Sequence, residues 1–345
     1  MSTFFLLLIL LFGFLITFQI AKASEYVGVL KGEKKNFEQN NRVNGFLMIA
    51  FLVLGLIGVY YCNELYKGKI LGESASVHGE KIDTMMFITL VITGIVFVIT
   101  QILLFWFAYK YQYSEKRKPY YFPHDNKLEI IWTVVPAIAL TVLVGFGLFY
   151  WFGITGDAPP EANQIEVTGK QFAWIFRYPG KDHVFGKKYY RNISDANNNA
   201  LGLIWDDPYS HDDVVTQGTM YIEVNKPVKL IINSRDVIHD VGLVYFRQKM
   251  DAVPGIPTTM WFIPKFTTDE MKIKLGNPDF DYEISCDQMC GKGHFTMRGV
   301  VKVVTHDEYV LWLVKQKSNY AEVFEKAPAA PGAKTDSTKT SVAVN

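Results

Sequence analysis

Cysteine is scarce in this chain. Three are present in 345 residues, Cys62, Cys286 and Cys290. That is too few for a disulfide framework and too few for an iron–sulfur cluster held by four thiolates. The C-x-x-C-H signature of covalently attached c-type haem is missing. Charge of one sign is missing too: 35 Lys and Arg face 34 Asp and Glu, a net charge of +1. A basic nucleic-acid binder is excluded, and no nucleic-acid partner is expected. Histidine numbers seven, and none falls in the four long apolar runs described next. Axial His ligation of haem within a membrane segment is therefore ruled out.

What the chain has in plenty is apolar sequence, nearly all of it before residue 153. Four runs, 3–20, 45–62, 85–109 and 128–153, are long enough to cross a hydrocarbon core of about 30 Å as helices. Trp106, Trp132 and Trp151 sit near the ends of the last two, as interfacial aromatics do. Cys62 lies at the end of an apolar run and is expected to pack as an inert small hydrophobe. "AKAS" at 21–24 has the form of a signal-peptidase site, but no Lys or Arg precedes the first run. Loop charge favours a retained helix. Segments 21–44 and 110–127 are rich in Lys and Arg, whereas 63–84 mixes three Lys with four acids. The positive-inside rule then puts the two richer loops in the cytoplasm and everything after residue 153 outside.

Beyond the linker "GDAPPEANQ" the pattern changes to short alternating runs separated by Gly, Pro, Asn and Asp. Such spacing predicts a β-sandwich or barrel. Strands are expected at 164–168, 172–178, 220–224, 228–233, 258–263, 282–285 and 299–304. Phe172, Trp174, Phe176 and Tyr178 should share one strand face. Thr305 and Glu308 form a capping-box pattern opening a helix to about Leu313. A polar insertion, 179–218, contains "WDDPYSHDD". It reads as a solvated loop, or as an acidic docking surface for a basic partner. Segment 319–345, Ala-, Pro- and Thr-rich towards its end, is expected to be a disordered tail.

One stretch carries chemistry. "CDQMCGKGHFTM" spaces Cys286, Cys290, His294 and Met297 within twelve residues. A closed zinc site would take four Cys or His and leave Met297 spare. A redox disulfide more typically uses C-x-x-C at a helix start. Copper uses every member: a mononuclear centre takes one Cys, two His and a weak Met. His239 in "NSRDVIHDVG" is the candidate second imidazole. Cys286 is then one thiolate too many for a single metal, and a second copper ion bridged by both sulfurs absorbs it.

Together with "RDVIHD", "MDAVPGIP" and "LEIIWTVVPAIAL", this stretch resembles subunit II of the haem–copper cytochrome c oxidases, bacterial type, over roughly residues 85–315. The resemblance implies N-terminal transmembrane helices followed by an all-β, cupredoxin-like Greek-key sandwich with a dinuclear copper A centre. The expected domains are two extra helices with loops (1–84), a helical hairpin (85–153), the copper A domain (154–318) and the tail. It further implies that Cys286 and Cys290 bridge two coppers, that His239 and Met297 complete one, and that His294 with the Gln288 backbone carbonyl completes the other. Glu129 would stand at the mouth of a proton channel. Cytochrome c or a membrane-bound c-type donor would deliver electrons. Haem in subunit I would receive them for oxygen reduction coupled to proton pumping, in a complex with further subunits in the bacterial inner membrane.

The chain also departs from that family. Gln288 stands where a Glu helps bind magnesium, and an amide is a poorer ligand for a hard cation, so magnesium is not expected here. Phe172 replaces the tryptophan through which electrons are accepted. Trp174 can substitute only if its strand face points outward. A copper-delivery protein would need neither the second bridging Cys nor Glu129. A quinol oxidase subunit would keep the fold without the copper ligands. A nitrous oxide reductase would carry its catalytic domain in the same chain.

Overall fold

The computed structural model describes residues 2–69 and 71–325. Four long helices come first: α1 (Ser2–Lys31), α2 (Glu33–Tyr66), α3 (Val77–Lys110) and α4 (Asn126–Thr155). All four are long and apolar enough to cross a membrane, and as helices they satisfy their own backbone polar groups there. The expected loop at 21–44 is helical except at Gly32, which sits at φ +81° between α1 and α2. Its Ala, Lys, Glu and Leu are good helix formers, so the polar stretch extends the apolar run rather than ending it. Asp125 caps α4 by accepting the Lys127 and Leu128 N–H groups at 3.0 and 3.2 Å. Cys62 is exposed on α2, not packed in a core.

The chain divides into two compact units: Met1–Leu71 with Met86–Leu143, and Gly72–Met85 with Val144–Asn345. The stretch before the third apolar run thus belongs with the β domain and not with the first two helices. Ala75 is fully buried there, and its N–H donates to the Tyr245 carbonyl. The Ser76 hydroxyl donates to Phe246 O, and Arg247 pairs with Asp83 through two bonds of 2.8 and 3.0 Å.

The β domain is a sandwich of two five-stranded sheets. Its strands are β1 (Asn163–Lys170), β2 (Ala173–Tyr178), β3 (Val214–Gln217), β4 (Thr219–Glu223), β5 (Val228–Ser234), β6 (His239–Leu243), β7 (Gln248–Ala252), β8 (Thr258–Phe262), β9 (Tyr282–Cys286) and β10 (Arg298–Val304). One sheet runs β3-β2-β1-β5-β8 and the other β4-β10-β9-β6-β7. The pairs β1–β5 and β10–β4 are parallel, and the rest are antiparallel. Alternate residues of β5, β9 and β10 point inward, so Leu230, Ile232, Ile284, Val301 and Val303 meet in one core. Three short helices complete the domain: α5 (Thr268–Leu275), α6 (His306–Lys315) and α7 (Asn319–Phe324). The capping box at Thr305 and Glu308 is present as expected, and Thr267 with Glu270 forms a second.

Two expectations give way here. The insertion is not wholly a solvated loop: residues 181–184, 187–192 and 195–198 are exposed, but Leu201 and Leu203 pack on Ile175, on the outer face of β2. Nor is its acidic cluster a free docking surface. Asp207 accepts the N–H groups of Lys187 and Tyr209, and Asp212 those of Lys181 and Asp182. Asp213 is fully buried against Arg177. The tail expected from residue 319 begins with α7, whose Tyr320 stacks on His211 with ring centres 4.0 Å apart. Residues 326–345 lie outside the described residues.

Candidate metal centre

β9 ends at Cys286 and β10 begins at Arg298, so the strand pair holds both ends of the intervening loop. The Cys286 N–H donates to Met297 O at 3.1 Å, which closes its base. A 3-10 turn at His294–Thr296 then lifts His294 toward Cys290. His239 is the first residue of β6, and Val241 of that strand pairs with Cys286. Five of the sequence candidates therefore come from one loop and the sixth, His239, from the neighbouring strand.

The two sulfurs stand 3.8 Å apart, far beyond a disulfide bond. Two ligand sulfurs, each about 2.3 Å from one tetrahedral metal, are separated by roughly that distance. The His239 Nδ1 lies 3.8 Å from Cys286 Sγ. Cys290 Sγ has His294 Nδ1 at 3.7 Å and Met297 Sδ at 3.8 Å. The Gln288 carbonyl oxygen is 3.2 Å from Cys286 Sγ. His239, Cys286 and Cys290 alone offer three donor atoms within 4.8 Å of one another. The buried Met297 thioether, next to a thiol, argues against a closed Cys/His zinc site and fits copper. Burial and then the adjacent Cys286 push the Cys290 thiol up to about 11. Metal uptake must therefore displace its proton.

Two residues that sequence reasoning passed over hold the site. Asp236 Oδ1 lies 2.8 Å from His239 Nε2, the ring nitrogen remote from the sulfurs. A proton on Nε2 leaves the Nδ1 lone pair facing Cys286. Burial raises the Asp236 carboxyl, but hydrogen bonds from the Gln171 N–H, His239 and the Val237 N–H outweigh it and leave it below its ordinary value. Gln171 touches both ligand-bearing segments: its backbone N–H donates to Asp236 at 2.8 Å and its side-chain amide to Cys290 O at 2.6 Å. The motif "RDVIHD" contains Asp236, three residues before His239, but Gln171 left no signal in spacing.

The aromatic candidates separate. Trp174 is fully buried, edge-on to His239 with ring centres 6.1 Å apart, so its strand face is the inner one. That overturns Trp174 as an exposed point of electron acceptance. Phe172 precedes β2 and is 38% exposed. A Cβ on Gly293 would stand 2.5 Å from its ring, so the loop passes beneath Phe172 only as glycine. Glu129 lies exposed on the first turn of α4, with no side-chain partner among the described residues.

Both parts of the chain match known protein families. Residues 65–149 match the family described as "Cytochrome C oxidase subunit II, transmembrane domain", and residues 163–304 match "Cytochrome C oxidase subunit II, periplasmic domain". The chain belongs to the cytochrome c oxidase subunit II family. This subunit II is 35% identical over 238 residues to "Alternative cytochrome c oxidase subunit 2" of Bradyrhizobium diazoefficiens, covering 69% of this chain and 80% of that protein. It is 28% identical over 253 residues to cytochrome c oxidase subunit 2 of Cereibacter sphaeroides, covering 71% and 78%. Among solved structures, the periplasmic domain of subunit II from Bradyrhizobium japonicum is 25% identical, with a TM-score of 0.32, over 47% of this chain and 99% of that one. The chain is thus a cytochrome c oxidase component, a membrane protein with an extracytoplasmic β-sandwich domain.

Proposed function

We propose that this subunit II accepts electrons at a dinuclear copper A centre and passes them to haem in subunit I. The donor is cytochrome c or a membrane-bound c-type cytochrome. In this reading the electrons reduce oxygen to water on subunit I, coupled to proton pumping across a bacterial inner membrane. The observation that carries it is the convergence of two thiols, two imidazoles, a thioether and a carbonyl oxygen around a single pair of sulfurs. Two copper ions bound there would supply a one-electron acceptor that readily gives the electron up again.

The protein's own groups do the rest. Cys286 and Cys290, as thiolates, would hold the two coppers between them, with His239 and Met297 serving one and His294 and the Gln288 carbonyl oxygen the other. Asp236 keeps the imidazole of His239 turned, and the surrounding core keeps water away from the buried sulfurs. Phe172, over the ligand loop, is the aromatic group left on the donor side. Glu129 is assigned to the mouth of a proton channel, where a carboxylate at a membrane helix start is functional by default.

The test is copper stoichiometry together with electron paramagnetic resonance on the full chain, purified in detergent without its partners. Two coppers per chain and an unpaired electron shared between both metals are expected. Cys286→Ser should abolish the shared signal. One copper with a mononuclear four-line spectrum would overturn the dinuclear assignment.

A further inference from the structure

The last turns of α4 and the start of α3 border an open cleft of about 490 Å³ within the β-domain unit. Phe149, Tyr150 and Phe152 wall one part of it, and His78, Lys81 and Trp261 line the rest. Phe149 and Phe152 are largely exposed. They lie some 20 residues beyond Glu129 along the same helix, about 30 Å at 1.5 Å per residue, which is a membrane thickness away. The cleft therefore lies where α4 leaves the hydrocarbon on the side of the β domain.

No carboxylate is among its lining side chains, and its one cation is Lys81. The neighbouring acids are taken: Glu80 pairs with Lys265, and Asp83 with Arg247. Lys81 has no ion-pair partner among the described residues and is exposed. The Trp261 indole N–H is buried and finds no acceptor. His78 stands edge-on to the Trp261 ring at 4.4 Å, with Nδ1 3.2 Å from the Trp261 carbonyl oxygen. That contact uses one ring nitrogen, and Nε2 has no hydrogen-bond partner among the described residues. A buried donor lacking a partner is destabilising, and an acceptor brought within its reach relieves that.

A free ammonium, an indole N–H and an imidazole edge beside apolar walls at the membrane surface suit one ligand chemistry, an anionic phosphate carrying acyl chains. We infer that this cleft binds the headgroup phosphate of an anionic phospholipid of the outer leaflet. Lys81 and the Trp261 N–H meet the phosphate, and Phe149 and Phe152 flank the acyl chains. The assignment rests on the membrane placement of α4 and is independent of the copper reading.

The experiment uses the intact oxidase complex, stripped of lipid in detergent and incubated with vesicles of phosphatidylcholine and phosphatidylglycerol. Retained lipids are then counted by mass spectrometry. The wild type should retain phosphatidylglycerol in preference to phosphatidylcholine. Lys81→Ala should weaken that preference about fivefold, the effect of one Lys near a membrane surface. Lys81→Arg should keep it, and Trp261→Phe, which retains the ring but not the N–H, should reduce it. Equal retention by wild type, Lys81→Ala and Trp261→Phe would overturn the proposal, as it would if a neighbouring subunit filled the cleft. Full displacement of the lipid by inorganic phosphate would assign the site to free phosphate instead and overturn it equally. Copper content measured in the same samples reports separately on the copper reading.

Discussion

The ligand loop, residues 286–297, and the part of the insertion that precedes β3, residues 179–213, are both polar excursions from the same sandwich, yet they use polarity in opposite ways. In the insertion the protein satisfies its own charges. Arg177, 1% exposed, bonds Glu166 at 3.1 Å, Asp213 at 2.5 Å and the Gly186 carbonyl, while Lys188 and Asn233 hold the other Glu166 oxygen. In the ligand loop the donors converge on one another, and the contacts between them are all 3.2–3.8 Å. Buried groups that partner each other build structure, and buried donors aimed at a common space build a site. Polarity alone did not separate the two, but the kinds of atom did.

The sharpest way to break this contrast is Arg177→Ala. It leaves Asp213 buried without its cation and Glu166 with Lys188 as its remaining cation, and should destabilise the β domain by about 3–5 kcal/mol in denaturant unfolding. A loss below about 1 kcal/mol would mean that the insertion is only loosely attached after all. Asp236→Asn addresses the other region. It removes the carboxylate that orients His239 and should cost about 10–100-fold in copper affinity, measured by competition with a chelator, with the fold retained.

Acidity offers a third comparison. Burial raises the Asp213 carboxyl to about 6, against the pull of Arg177. Its folded pKa exceeds the unfolded value near 3.8, so the folded chain holds the proton more tightly. Stability from this group grows as pH falls from about 6 toward 4 and is lost as pH rises through 6. Relative to Asp213→Asn, the wild type should therefore gain on the order of 1–2 kcal/mol between about pH 7 and pH 4.5. A wild type that loses ground over that interval would place the folded pKa below the unfolded one. The smallest effect is expected from Phe172→Ala. Stopped-flow reduction of the oxidase by its native donor should slow by less than about tenfold, under ~1.4 kcal/mol of barrier. A larger loss with copper retained would make Phe172 the obligatory point of electron acceptance.

The sequence pointed to the candidate cluster because thiols, imidazoles and a thioether at close spacing have few structural uses in a chain with three cysteines. The sheet was legible at β1, β5, β9 and β10, where alternation is clean. It was not legible at β6 and β7, whose "HDVGL" and "QKMDA" put a buried polar residue, His239 or Gln248, on the otherwise apolar inward face. The insertion misled for a related reason. Its carboxylates read as exposed, and their partners are mostly backbone N–H groups, which leave no mark in a sequence. The orientation of Trp174 turned on which face of β2 meets the second sheet, a long-range fact that period-two alternation leaves open. The paired sheets put that face inside.

Gln171 joins the Asp236 side of the site to the Cys290 side with one residue. Its consequence concerns motion more than affinity. A centre that gains and loses an electron in every cycle works fastest when its atoms barely shift between the two states, because a preorganised surrounding has nothing to rearrange at the moment of transfer. Tying both segments to a single turn at the mouth of β2 would let the proposed centre change its charge while its frame stays still.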